Sequence, residues 1–146
     1  MKAWIALALY LACHAAGAQE LLVSEAEMQA SLASGNLPMA RSMPAPGAPR
    51  IELAAPDIRQ SIASPTRILL RFAATAPATI RPESLRVLYG SLRLDITGRL
   101  LAGARVTAEG IEVAEAALPR GQHRLTLLLE DSIGRAASQS FSFTVE

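Results

Sequence analysis

From residue 50 to residue 146, apolar and polar side chains alternate with a period of two, interrupted by Gly, Pro, Ser and Asp. Such alternation places one row of side chains on each face of a strand. Arg50-Ile51-Glu52-Leu53 opens the series. Ile68, Leu70 and Phe72 then share one face, against Arg67 and Arg71 on the other. Leu85, Val87 and Tyr89 form the next row, which Gly90-Ser91 breaks. Leu92, Leu94 and Ile96 follow, opposite Arg93, Asp95 and Thr97. Ile111 and Val113 make a short strand. Leu125, Leu127 and Leu129 alternate with Arg124, Thr126, Leu128 and Glu130; Phe141, Phe143 and Val145 alternate with Ser140, Ser142 and Thr144. Seven short strands separated by turn signals predict an all-β fold, a seven-stranded sandwich, with at most a helical turn within Arg99–Ala104.

Ahead of this unit the pattern changes. Ser24-Glu25-Ala26-Glu27 has capping-box spacing, and the two glutamates suit the positive end of a helix. Met28 and Leu32 lie four apart, and Gly35 is a natural stop. A helix of about ten residues does not persist alone, so Met28 and Leu32 are the expected docking residues. From Asn36 to Pro49, prolines at 38, 44, 46 and 49 with Gly47 abolish any hydrophobic period, which predicts an extended linker. Residues 19–49 therefore read as short helix and linker, and residues 50–146 as one domain with a single core.

Residues 1–18 read as a secretory signal: Lys2, an apolar run from Ala3 to Ala12, then Ala16-Gly17-Ala18 before Gln19. The run is shorter than the roughly 20 apolar residues of a membrane-spanning helix, and none of that length follows. A periplasmic or secreted protein is expected. Cys13 is the single cysteine and falls within the signal, so the mature chain has no thiol. Tyr10-Leu11-Ala12 before it resembles a bacterial lipobox with Tyr in place of the usual Leu. A lipid anchor at Cys13, and with it an outer-membrane lipoprotein, is the lesser alternative.

Charge and composition remove several function classes. Without Lys2, the only lysine, 13 arginines balance 13 carboxylates, a net charge of 13 − 13 = 0. The arginines are dispersed from Arg41 to Arg135 without a run, which argues against nucleic acid as a partner. No Gly-rich phosphate loop, Gly-x-Ser-x-Gly elbow or paired carboxylates at a hydrolytic spacing occur. Neither an enzyme nor a cofactor is expected.

The chain resembles a bacterial immunoglobulin-like domain of the fibronectin-III-like kind. The resemblance rests on Pro49-Arg-Ile-Glu-Leu53, Ser64-Pro65, Ile80 to Val87, Asp95-Ile-Thr97, Leu118-Pro-Arg-Gly-Gln-His123, Asp131-Ser-Ile-Gly134 and Phe141 to Val145. It implies an immunoglobulin-like sandwich in an exported protein and says little of function, since that sandwich hosts many roles. Arg135 stands where the family usually has Asn, a departure expected to touch turn chemistry only. A second resemblance, to periplasmic copper-resistance carriers, fails on ligands. Their copper sites use an N-terminal histidine and further histidine and carboxylate ligands, whereas this chain after Ala18 begins Gln19-Glu20 and keeps only His123. A copper or other metal carrier is thus a remote alternative, and no metal ligand is assigned.

His123 shares parity with the inward leucines and reads as a strand-end histidine bonded to a backbone carbonyl rather than as a ligand. Asp131-x-x-Gly134 reads as a turn in which the carboxylate accepts backbone amides, rather than as a calcium site. Arg86 and Arg93, with Arg67, Arg71 and Arg124, form an outward row that reads first as a solvated face with cross-strand ion pairs. Otherwise it reads as a face for an anionic polysaccharide or a partner's carboxylates, so Arg86 and Arg93 count among the candidate partner-surface residues. Leu69, Leu88 and Leu128 are apolar at outward parity. They mark either a partner surface or the seat of the Met28/Leu32 helix.

The expected function is an exported, non-catalytic interaction module that binds a protein partner in the periplasm or envelope of a Gram-negative-type bacterium. Carbohydrate or polysaccharide binding is the alternative; Tyr89, Phe72, Phe141 and Phe143 all sit at inward parity, and Trp4 is lost with the signal. Mass spectrometry of the mature chain should find Gln19 at its N-terminus. A lipid-modified Cys13 there would overturn the soluble assignment.

Overall fold

The computed structural model describes residues 20–35 and 43–146. The expected signal with Cys13, and residues 36–42 of the linker, lie outside the described residues. The elements run α1 (Glu25–Ala33), β1 (Arg50–Ala55), β2 (Thr66–Ala73), β3 (Ile80–Tyr89), β4 (Leu94–Asp95), α2 (Thr97–Ala102), β5 (Ala104–Thr107), β6 (Gly110–Ala116), β7 (Gly121–Asp131) and β8 (Ala136–Val145).

The strands form two antiparallel sheets of four, in the orders β1-β2-β6-β5 and β4-β3-β7-β8, packed as an all-β sandwich. The alternating rows are the reason. Ile68, Leu70 and Phe72 from β2 and Ile111 and Val113 from β6 join Leu85, Val87 and Tyr89 from β3 in one core. Leu125, Leu127 and Leu129 from β7 complete it with Phe143 and Val145 from β8. Each such aliphatic side chain taken fully from water contributes about 1.5–3 kcal/mol. The chain's last strand pairs with β7 in register from Gly121↔Val145 to Glu130↔Ala136.

Among the described residues, eight strands stand where seven were expected. The added one, β5, is an edge strand exposed along most of its length, so it carries no inward row to announce it. The expected strand through Leu92, Leu94 and Ile96 shrinks to Leu94–Asp95. Gly90 to Arg93 is a tight turn, closed by the Arg93 amide donating to the Gly90 carbonyl at 3.3 Å, with Arg93 itself at φ 53°. Asp95 then ends the strand. Its Oδ1 accepts from the Thr97 amide at 3.0 Å and the Thr97 hydroxyl at 2.5 Å, and α2 starts there.

Arg135 does more than adjust a turn. Buried Asp131 accepts at Oδ1 from the amides of Ile133 (3.1 Å) and Arg135 (2.9 Å), and at Oδ2 from Arg135 Nε at 2.6 Å. The same guanidinium donates to the Thr75 carbonyl at 3.0 Å, tying the β7–β8 turn to the segment after β2. Burial pushes the Asp131 carboxyl up, and the Arg135 and Ile133 donors more than offset it, holding it below the usual carboxylate range.

Helix α1 docks on one end of the sandwich. Its capping box forms: the Glu27 amide donates to Ser24 Oγ at 3.2 Å, and the Ser24 amide to Glu27 Oε2 at 2.9 Å. Met28 is buried, as its expected docking role requires, but Leu32 is 48% exposed. The second apolar anchor is instead the lead-in: Leu22 and Val23 are buried, and the Leu22 amide donates to the Ala117 carbonyl at 2.9 Å. Arg99 of α2 clasps Glu27 through both guanidinium nitrogens at 2.8 and 2.7 Å. That bond first, and the Ser24 amide second, lower the Glu27 carboxyl to about 2. Arg99 is half exposed, so solvent screening keeps this pair to about 1 kcal/mol or less. Ser31 meets Ser91, whose amide donates to Ser31 Oγ at 3.0 Å and whose hydroxyl donates to the Ser31 carbonyl.

Two glycines clear the seat. A Cβ at Gly121 would lie 3.0 Å from Met28 Sδ, and one at Gly90, which has φ +65°, would collide with the Ser31 side chain. Gly90→Ala should therefore cost about 1–3 kcal/mol from the left-handed backbone alone, and should also speed proteolysis within residues 20–35. Urea unfolding and limited proteolysis check this. An alanine variant equal to the parent in both would show that α1 does not rest there.

Candidate functional site: a polar groove beside the docked helix

Seating α1 at the end of the sandwich creates a groove of ≈ 520 Å³. Its floor is the outward face where β7 and β8 meet: Gln122 opposite Thr144, and Arg124 opposite Ser142. The C-terminal half of α1 supplies one wall through Ser31 and Leu32, with Ser91 beside them. The β1–β2 connection supplies the other through Ile58 to Ser61. That connection is held down because the Ile62 amide donates to the Thr144 carbonyl at 2.9 Å and the Glu146 amide to the Ile62 carbonyl at 3.0 Å. These bonds also occupy the backbone edge of β8 at this end, where Ile62 and Val145 form a parallel bridge.

Under the floor lies an aromatic cluster. His123 is 3% exposed; its ring stacks on Phe143 at 5.5 Å and meets Tyr89 at 5.8 Å. Nε2–H donates to the Pro119 carbonyl at 2.7 Å, which leaves Nδ1 to accept the Tyr89 hydroxyl at 2.9 Å. The reading of His123 as a strand-end histidine bonded to a backbone carbonyl holds, with the tyrosine as an added partner. Burial pushes the imidazole down from its ordinary value, against the opposing Pro119 bond, and raises the Tyr89 phenol to about 12. Both are neutral at pH 7, and both imidazole nitrogens are engaged within the protein. Among the described residues no group of three or more His, Cys, Asp or Glu side chains is placed to hold a metal ion.

The residues singled out from sequence separate into different surfaces. Leu88 and Leu128 do share the outer face of the second sheet, around Thr126, which pairs with Leu88 and bonds Ser140 at 2.9 Å. Leu69 does not join them: it lies on the outer face of the first sheet, beside Glu112 and Ala55, on the opposite side of the sandwich. Parity alone does not say which sheet a strand enters, so the three-leucine patch dissolves. All three are half-buried rather than exposed, and the contacts of α1 fall at Gly90, Ser91, Arg99 and Gly121. Arg86 pairs with Asp95 at 2.9 Å between exposed side chains, and Arg93 is exposed on the β3–β4 turn. Sequence reasoning missed Arg59 and the groove itself, because a loop residue has no periodic signal to place it. Arg124 was counted only as part of the arginine row.

No family model matches the sequence, and no curated protein matches it. Among solved structures the fold is similar to "CopC from Methylosinus trichosporium OB3b", with a TM-score of 0.41 and 16% identity over 59% of this chain and 81% of that one.

The His123 cluster has a pH signature. A folded-state imidazole lowered from 6.5 contributes stability in full above that value and loses it as pH falls through the lowered one. Unfolding free energy should thus fall between pH 7.5 and 5.5, and His123→Phe should flatten the dependence. Tyr89→Phe strands the buried Nδ1 acceptor and should cost about 1–3 kcal/mol at pH 7.5. A pH-independent parent, or a Tyr89→Phe variant as stable as the parent, would contradict this network.

Proposed function

We propose that this protein is an exported, non-catalytic binding module built on an immunoglobulin-like sandwich, and that it engages a protein partner of the periplasm or cell envelope through the groove beside α1. The strand orders β1-β2-β6-β5 and β4-β3-β7-β8 are those of strands ABED and C′CFG in immunoglobulin-like domains, which supports the finer fold assignment. The signal-like residues 1–18 support export. No helix among the described residues is long and apolar enough to cross a membrane.

The observation that carries the binding role is the groove's construction. Three separate segments converge to wall a preformed recess, and each is held by its own bonds: Ser31 to Ser91, Ile62 to Thr144, and the β7–β8 ladder. A recess of ≈ 520 Å³ falls in the usual range for ligand sites. Its lining brings hydroxyls, amides and guanidiniums together, while the one imidazole beneath is committed to Tyr89 and Pro119. Such a set binds and orients. It lacks the free nucleophile–base pair that covalent or acid–base chemistry needs. The floor continues along the same outer face toward Thr126, Leu128 and Leu88, so a partner seated in the groove can extend over that surface.

A photoreactive residue in place of Thr144, in cells that make the protein, should give one discrete adduct. The adduct should be missing when the probe replaces Leu69 on the opposite sheet, and when residues 20–35 are deleted. Equal labelling from both positions would contradict a role for the groove.

A further inference from the structure

Resting on the groove reading above, we infer that the groove takes an acidic peptide segment, holding its carboxylates with Arg59 and Arg124. Its lining contains these two arginines and no carboxylate. Two other surface grooves differ in this respect: the one along β2, β5 and β6 sets Arg71 and Arg105 beside Glu109 and Glu112, and the one beside α2 sets Arg99 beside Glu20 and Glu115. Both of those grooves set carboxylates beside their arginines, two and two in one and two beside a single arginine in the other, whereas the first carries arginines alone.

Neither arginine of the first groove has an ion-pair partner among the described residues. All 13 aspartates and glutamates fall among the described residues, and the ion pairs they make are with Arg67, Arg81, Arg86, Arg99 and Arg135. Neither Arg59 nor Arg124 is among those partners. Residues 36–42, which continue from Gly35 at the groove's edge, contain Arg41 and no acid. Arg124 is kept in place weakly, its Nε donating to Ser142 Oγ at 3.4 Å, and the Arg59 backbone is set by its amide donating to Asp57 Oδ1 at 3.0 Å. A guanidinium in this condition offers a planar pair of donors that fits a carboxylate.

The rest of the lining favours a peptide over a sugar or a bare anion. Gln60 and Gln122 each present both a donor and an acceptor, matching the paired N–H and C=O of a peptide unit, and Leu32 and Ile58 offer apolar contact for an intervening side chain. The rings at the floor are turned to each other: Phe143 is 9% exposed and stacked on His123, so no aromatic face is presented to a sugar ring. Because Ile62 already occupies the β8 edge here, the segment is gripped by side chains and does not add a strand to the sheet.

Calorimetry on the mature chain tests this with four probes: the capped peptide Glu-Ala-Glu-Ala-Glu, its Gln-for-Glu analogue, an oligogalacturonate and inorganic phosphate. The acidic peptide should bind, and the Gln analogue should not at the same concentrations. Arg59→Gln and Arg124→Gln should each weaken binding about two- to fivefold, with the unfolding midpoint unchanged. Raising the salt from about 0.05 to 0.5 M should weaken it further. No binding of the acidic peptide, equal binding by the double variant, or tighter binding of oligogalacturonate or phosphate would overturn the inference. If the Thr144 probe still gives its discrete adduct in that case, the groove is a binding site for another chemistry. If the adduct is missing too, both readings fall.

Discussion

Period-two burial along β7 is the constraint on which the other features depend. This strand lies between β3 and β8, so its inward row of Leu125, Leu127 and Leu129 has a neighbour on both sides and the first sheet across the core. A slip of one residue in its pairing would turn that row to solvent and carry Arg124 and Glu130 inward. The same parity puts His123 under the end of the sandwich and turns Gln122 and Arg124 outward, where they become the floor of the groove. Core and candidate site are two faces of one strand.

The end of the sandwich would otherwise expose Tyr89, His123, Phe143 and the apolar residues around Pro119. Two devices close it. The imidazole satisfies both of its nitrogens internally, and α1 lays Met28 over Gly121 while Leu22 and Val23 fill the space nearby. A nine-residue helix has little stability of its own; the capping box, the Glu27–Arg99 pair and the buried Met28 make it part of the domain. Its unburied side then becomes a wall. Covering a hydrophobic end and building a recess are therefore the same structural event.

Much of this was legible in the residues. Alternation identified the inward rows because each strand buries one face only, and the capping-box spacing located α1 because the signal is local. What was lost was non-local. Leu69, Leu88 and Leu128 share outward parity, but the assignment of β2 to one sheet and of β3 and β7 to the other is set by pairing across long stretches of chain. The exposure of Leu32 and the burial of Leu22 likewise follow from where α1 docks, which the i, i+4 spacing does not specify. Strand β5 escaped notice because an exposed edge strand has no apolar row. The second role of Arg135 escaped the sequence because Thr75, unlike the nearby Asp131, becomes its neighbour only when the β7–β8 turn folds toward the end of β2.

The most direct check on the docked helix, and so on the groove it walls, is an NMR measurement on residues 19–146. Cross-relaxation between the Met28 ε-methyl and the Gly121 α-protons should be observed, together with helical chemical shifts from Glu25 to Ala33. Random-coil shifts over that segment without the Met28–Gly121 contact would contradict the account.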